Sequence, residues 1–208
     1  MLKKIEKFNL IDEHYYDDYC YTSFIPTLQC NVNCNYCSME CYNYNPLTDY
    51  RCNTFEFQKM INFLNMQDYK KHMFEFFGGE PTLHPQLKEF TWMLDKQLKG
   101  LDYIHILTNL KLPSIYYFDN WPQSVKFSCS YHSHWMDEFD KKAWFEKVKA
   151  LNILGMIRDV KLIMIPGNEE DILDKYEQYK HINFPIFEIV LDIRNLDNEW
   201  GKKWKEKL

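Results

Sequence analysis

Strand-like and helix-like patterns alternate along this chain, and that alternation restricts the fold more than any other feature. Strand patterns fall at 21–28 (YTSFIPTL), 73–77 (MFEFF), 102–109 (DYIHILTN), 125–132 (VKFSCSYH), 159–165 (DVKLIMI) and 186–194 (IFEIVLDIR). Between them lie helical stretches. The first follows Asn53 and Glu56, spaced as a capping box. The second closes at Gly100, a short irregular one spans 113–120, another ends at Gly155, and one starts at Asn168 with three acids behind it. Such alternation builds a parallel sheet with helices outside. Right-handed crossovers curl six units into an open, incomplete (β/α)6 barrel.

The chain of 208 residues is expected to be one domain, 1–208, with a core over about 21–195 and a short polar tail or helix at 196–208. Its hydrophobic share of 46% and aromatic share of 17% suit a packed globule. No apolar run approaches the roughly 20 residues of a membrane helix. The first residues, MLKKIEKFNLIDEHYYDDY, lack the apolar core of a secretory signal. A cytoplasmic setting without membrane partners is therefore expected, where seven cysteines point to metal or redox chemistry before disulfides. A net charge of −5 argues against a long nucleic acid partner. The lysine-rich end, GKKWKEKL, reads as a solvated terminal helix.

Period two sorts each strand into faces. Phe127, Cys129 and Tyr131 oppose Ser128, Ser130 and His132. Phe187, Ile189, Leu191 and Ile193 oppose Glu188, Val190, Asp192 and Arg194. Ile104 and Ile106 oppose His105, Leu107 and Asn109, and Phe74 and Phe76 oppose Glu75, Phe77 and Gly79. The apolar faces must meet the helices, so the polar ones line the barrel. A polar interior implies a bound polar ligand, with chemistry at the C-terminal strand ends.

Directly after the first strand comes CNVNCNYC, with Cys30, Cys34 and Cys37 inside eight residues. Structural zinc takes four ligands, commonly as two separated pairs, and no second C-x-x-C occurs. A four-iron cubane is held by cysteine thiolates. Three thiols tie down three irons and leave one open, the arrangement of a catalytic metal site.

C-x3-C-x2-C with an aromatic, Tyr36, before the last cysteine resembles the cluster loop of the radical S-adenosylmethionine (SAM) enzymes. "FFGGEPTLHP" at 76–85 resembles that family's GGEP motif. The resemblance implies a [4Fe-4S] cluster on Cys30, Cys34 and Cys37, whose open iron chelates the amino and carboxylate groups of SAM. It further implies SAM contacts from Tyr36, Gly78, Gly79 and Pro81, with Glu80 accepting from the SAM amino group. The glycines would let backbone approach the ligand.

"ILTN", ending at Asn109, resembles the third-strand TNG segment with Leu110 in place of glycine. Ser128 and Ser130 sit where family members place polar contacts to SAM. "MIPGN", with Ile165, resembles the segment flanking the adenine. His132, Asp192 and Arg194 are the expected catalytic side chains, Arg194 pairing a carboxylate of SAM or substrate. His132 and His134 also read as a metal pair, against an acid–base or hydrogen-bonding role. Cys20, Cys41, Cys52 and Cys129 read as free thiols, with Cys129 a small core residue.

By resemblance, a low-potential donor such as flavodoxin or ferredoxin reduces the cluster, which splits SAM to a 5′-deoxyadenosyl radical that takes hydrogen from the substrate. The expectation is a compact member without a C-terminal auxiliary-cluster domain. The substrate reads as a small polar molecule or a peptide side chain. Chain length, and Ser38 after Cys37, resemble 7-carboxy-7-deazaguanine synthases, although that group's acidic loop residue is absent. The reading from another class is a non-catalytic iron–sulfur or zinc protein on the same fold.

Overall fold

The computed structural model describes residues 19–37, 39 and 52–208. Six strands, β1 (Tyr19–Phe24), β2 (Lys71–Phe76), β3 (Leu101–Thr108), β4 (Val125–Tyr131), β5 (Ile157–Met164) and β6 (Phe187–Leu191), form one parallel sheet in sequential order. It stays open between β1 and β6, so the architecture is the expected partial barrel. Helices α1 (Thr54–Asn65), α2 (Leu87–Gln97), α3 (Ser114–Phe118), α4 (Glu138–Ile153) and α5 (Glu169–Tyr179) connect the strands, and α6 (Glu199–Lys207) follows the last. No helix among the described residues is long and apolar enough to cross a membrane.

Local chemistry explains most boundaries. The Asn53 side chain accepts from Glu56 N while Glu56 reaches back, so α1 opens on a full capping box. Asp137 caps α4 and Asn198 caps α6. Gly100 is not the cap of α2, which ends three residues earlier. It turns the chain into β3 at φ +69, where a Cβ would stand 2.3 Å from the Lys70 carbonyl oxygen. Asn168 precedes α5 without capping it. Its Oδ1 accepts from Ile165 N (2.8 Å), and its Nδ2 donates to the Ile163 carbonyl and to Ser133 Oγ (both 3.0 Å), folding the β5–α5 loop back on itself.

Two strands stop sooner than period two suggested. β1 ends at Phe24 because Pro26 has no N–H to carry the ladder on. β6 ends at Leu191 because Asp192 turns its carboxylate onto the following chain. Its Oδ1 accepts from Arg194 N (3.1 Å) and its Oδ2 from Asn195 Nδ2 (2.7 Å), which winds 193–195 into a 3-10 turn.

The faces otherwise sort as period two requires. Phe74, Phe76, Ile104, Ile106, Phe127, Cys129 and Tyr131 are fully buried beneath the helices. There Phe57 of α1 stacks on Phe90 of α2 at 4.2 Å between ring centroids. The lower half of the interior is polar, but its groups are engaged with one another. Ser23 Oγ donates to Glu75 (2.9 Å), and His105 Nδ1 meets the other Glu75 oxygen (2.9 Å). Arg158 lies 3.3 Å from His105 Nε2 and 3.4 Å from Asp159, and Ser128 donates to Asp159. A satisfied network of this kind specifies the barrel and leaves the ligand space above it.

Burial acts to raise the Glu75 carboxyl, but hydrogen bonds from His105, Tyr21 and Ser23 outweigh it and bring the group down to about 2. Burial holds His105 below its usual value, so the pair is a carboxylate on a neutral imidazole. A depressed carboxylate stabilises the fold above its unfolded value of 4.5, and the contribution is lost as pH falls toward 2. In acid-unfolding curves, Glu75→Gln should flatten the loss of stability across that window. A slope equal to wild type would show that Glu75 is not the group responsible.

Candidate cofactor site

The segment carrying the three cysteines is braced from several strand ends. Gly79 N donates to the Thr27 carbonyl (3.1 Å) and Glu80 N to the Gln29 carbonyl (2.7 Å), extending β1–β2 pairing past the strands. A Cβ on Gly79 would stand 2.2 Å from the Gln29 carbonyl oxygen. The glycine is thus needed for the segment before Cys30 to lie against the β2 end, a different reason from close approach to a ligand. Asn109 Nδ2 donates to Asn31 Oδ1 (2.8 Å) and lies 4.0 Å from Cys30 Sγ, and Lys111 Nζ donates to the Asn31 carbonyl (3.1 Å). Cys37 N closes a turn on the Cys34 carbonyl (3.1 Å). The Tyr36 hydroxyl lies 2.7 Å from His132 Nδ1 and 3.2 Å from His134 Nδ1.

Leu110 holds φ +57 where the TNG pattern would have glycine. The left-handed conformation costs about 1–2 kcal/mol. It is held by full burial of the Leu110 side chain, by Leu110 N donating to Thr108 Oγ1 (3.1 Å), and by Lys147 donating to the Leu110 carbonyl.

These segments enclose a cavity of about 280 Å³ at the C-terminal end of the sheet. Of the residues singled out in the sequence, Cys30, Cys34, Cys37, Tyr36, Gly78, Gly79, Glu80, Asn109, Ser130, His132 and Asp192 all line it. Four do not. Pro81 is buried in the 3-10 turn after Glu80, and Ser128 lies below, bonded to Asp159. Ile165 packs beside the cysteine loop. Arg194, expected inside on β6, is carried to the rim by the Asp192 turn and donates to the Asn35 carbonyl. Leu191 was assigned to the helix side, yet it borders the cavity as well as the core. The walls also include Phe77, Leu107, Ile163 and Val190. The ligand space is therefore more apolar than the alternation alone implied. Ser38 and Cys41 lie outside the described residues. Cys52 and Cys129 are buried in the main core, and Cys20 packs against it.

Glu80 is 1% exposed. Its Oε1 accepts from Thr82 N (3.3 Å), Thr82 Oγ1 (2.5 Å) and Thr108 Oγ1 (2.8 Å), and its Oε2 accepts from Asn109 N (2.8 Å). These donors are neutral, and among the described residues no cationic side chain pairs with Glu80. Burial accordingly raises its carboxyl, and the Asn109 and threonine bonds only partly offset this. Oε2 accepts a single hydrogen bond and so keeps a free lone pair, and Glu80 lines the cavity. Thr82 and Thr108 carry no sequence signal of this role, since their partner becomes visible only when the β2 and β3 ends are set side by side.

Burial pushes the Cys30 thiol up to about 11 and Cys34 upward as well, so a metal must displace their protons on binding. Burial and the neighbouring His134 bring His132 down to about 4, leaving it neutral. Among the described residues no three His, Cys, Asp or Glu side chains converge on a point as the ligands of one metal ion would. The three thiols line one cavity, and cysteine thiolates are the donors that hold an iron–sulfur cluster. The soft donor set and the cavity beside it are consistent with that group.

No protein-family model matches the sequence, and no curated protein matches it. Solved structures do match in fold. One is the anaerobic sulfatase maturase anSMEcpe with bound AdoMet and Cp18Cys peptide, at TM-score 0.60 and 12% identity over 83% of this chain and 51% of that one. Another is BtrN in complex with AdoMet and 2-DOIA, at TM-score 0.52 and 18% identity over 68% of this chain and 56% of that one. Both are radical SAM enzymes. The chain spans about half the length of these structures, and its fold is the radical SAM fold.

Proposed function

We propose that the chain is a radical SAM enzyme that binds a [4Fe-4S] cluster on Cys30, Cys34 and Cys37 and SAM in the adjoining cavity. The observation that carries this reading is Glu80: a buried carboxylate without a cation among the described residues, facing the same cavity as the three thiols. Burying an unpaired charge is costly. A ligand bearing an ammonium group offsets that cost, and SAM bears both an ammonium and a sulfonium.

When bound, the cluster supplies the electron that cleaves SAM and so starts hydrogen abstraction from the substrate. The protein's own residues bind, orient and exclude water. Glu80 and the Asn109 segment hold the amino-acid end of SAM, and Tyr36 flanks the thiols. Phe77, Leu107, Ile163 and Val190 keep the reacting region dry. Ser130, His132 and Asp192 are the polar groups left to orient a substrate, small molecule or peptide side chain, that offers an apolar C–H beside one or two polar handles. A flavodoxin- or ferredoxin-like donor would supply the electron in the cytoplasm.

The test is anaerobic reconstitution with iron and sulfide, then reduction with SAM present. About four irons and four sulfides per chain and release of 5′-deoxyadenosine are expected. One zinc per chain without sulfide, or a full cluster that never yields 5′-deoxyadenosine, would reject the reading.

A further inference from the structure

Tyr36 stands between Cys34 and Cys37, and its side chain is held by residues of the segment after β4. Its ring stacks on His132 (5.9 Å between centroids, 29°) and meets His134 edge-on (4.9 Å, 64°). Its hydroxyl lies 2.7 Å from His132 Nδ1 and 3.2 Å from His134 Nδ1. A phenol has one proton and two lone pairs, so it can donate to at most one of these nitrogens. With the proton assigned to the shorter contact, the hydroxyl donates to His132 Nδ1 and accepts from His134 Nδ1–H, an assignment of tautomers that the experiment below checks. His132 Nδ1 also lies 3.9 Å from Cys34 Sγ, so the same imidazole borders a thiol directly.

We infer that Tyr36, His132 and His134 form a hydrogen-bonded clasp that fixes the Cys34–Cys37 turn against the end of β4, with His132 as its positioning residue. Asn109 and Lys111 act on Asn31, outside this turn, while Arg194 holds the turn itself at the Asn35 carbonyl. The clasp adds the hold on the turn's side-chain face, between Cys34 and Cys37. Because it touches the ligand sulfur, it also sets the electrostatic surroundings of the thiolate once iron is bound. Only this second effect rests on the proposed cluster.

The experiment compares wild type, Tyr36→Phe, His132→Leu, His132→Asn and the Tyr36→Phe/His132→Leu double variant. In cluster-free protein, hydrogen exchange is measured on the amides of residues 34–37. Both Tyr36→Phe and His132→Leu remove the Tyr36–His132 bond, and Tyr36→Phe also removes the bond to His134, so exchange should quicken about two- to tenfold in both, with the double variant no faster than Tyr36→Phe. Asn carries Oδ1 where His carries Nδ1, so His132→Asn should restore near-wild-type exchange. After reconstitution, the cluster's midpoint potential should move in the same direction in Tyr36→Phe and His132→Leu and return in His132→Asn. Wild-type exchange in His132→Leu, additive single effects, or no rescue by Asn would overturn the clasp. Should exchange behave as expected while wild type takes up no cluster, the clasp stands and the enzyme reading falls.

Discussion

Cys30→Ala, Cys34→Ala and Cys37→Ala are each expected to leave reconstituted protein nearly devoid of iron and sulfide, whereas Cys52→Ala and Cys129→Ala should reconstitute like wild type. In the proposed cluster, with one iron per thiol and a fourth iron without a protein ligand, loss of one thiol would leave only two corners held. Cys52 and Cys129 lie in the hydrophobic core, away from the cavity. Their replacement should cost about 1 kcal/mol of packing, in the range of a deleted methylene. The three site variants should melt at or slightly below the temperature of cluster-free wild type, because the loop is held chiefly through Gln29, Asn31, Asn35 and Tyr36, the sulfurs adding only local packing and long contacts to Asn109 and His132. Iron and sulfide analysis beside a melting curve checks both halves. Wild-type iron content in Cys34→Ala would remove the three-ligand assignment.

The barrel was legible because its information is local and periodic. Apolar side chains at every second position of β2, β3 and β4 must face helices, and Phe74, Ile106 and Phe127 are buried there. The cysteine loop and the glycine pair were legible for the same reason: each is contiguous in sequence. What escaped depends on side chains that redirect the backbone or meet across strands. Asp192 has the right parity for the interior and does line the cavity, but its bonds to Arg194 and Asn195 end the strand, so parity fails for Arg194. Glu75, His105 and Ser128 read as part of a polar interior awaiting a ligand. Only the register, which sets Glu75 beside His105 and Ser128 beside Asp159, shows that they satisfy one another. Leu110 broke the TNG pattern, and the Lys147 bond that helps hold its conformation comes from α4.

Glu80→Ala and Glu80→Gln are expected to separate the clamp that this carboxylate forms from the SAM contact proposed for it. Alanine orphans Thr82 N, Asn109 N and two hydroxyls at once. Each buried group that water fails to reach costs roughly 1–3 kcal/mol, so Glu80→Ala should melt well below wild type. Glutamine keeps an oxygen for the Thr82 and Thr108 donors but sets its NH2 against Asn109 N–H, which loses its acceptor, so it should lose less stability than alanine while still melting below wild type. Both remove the negative charge facing the cavity. Each should therefore weaken SAM binding by about 10- to 100-fold, the worth of one hydrogen bond to a charged group. The pH dependence has a definite sign. Burial raises the folded-state value of Glu80 above 4.5, so in ligand-free protein its favourable contribution is present below that value and is lost as pH rises through the folded value. The stability gap between wild type and Glu80→Gln should accordingly narrow as pH rises, and SAM should reopen it in wild type alone. Binding measured by equilibrium dialysis, beside melting curves across pH, decides between the roles. If both variants melt lower yet bind SAM with wild-type affinity, Glu80 is a clamp between the β2 and β3 ends, and the ammonium of SAM is held by another group.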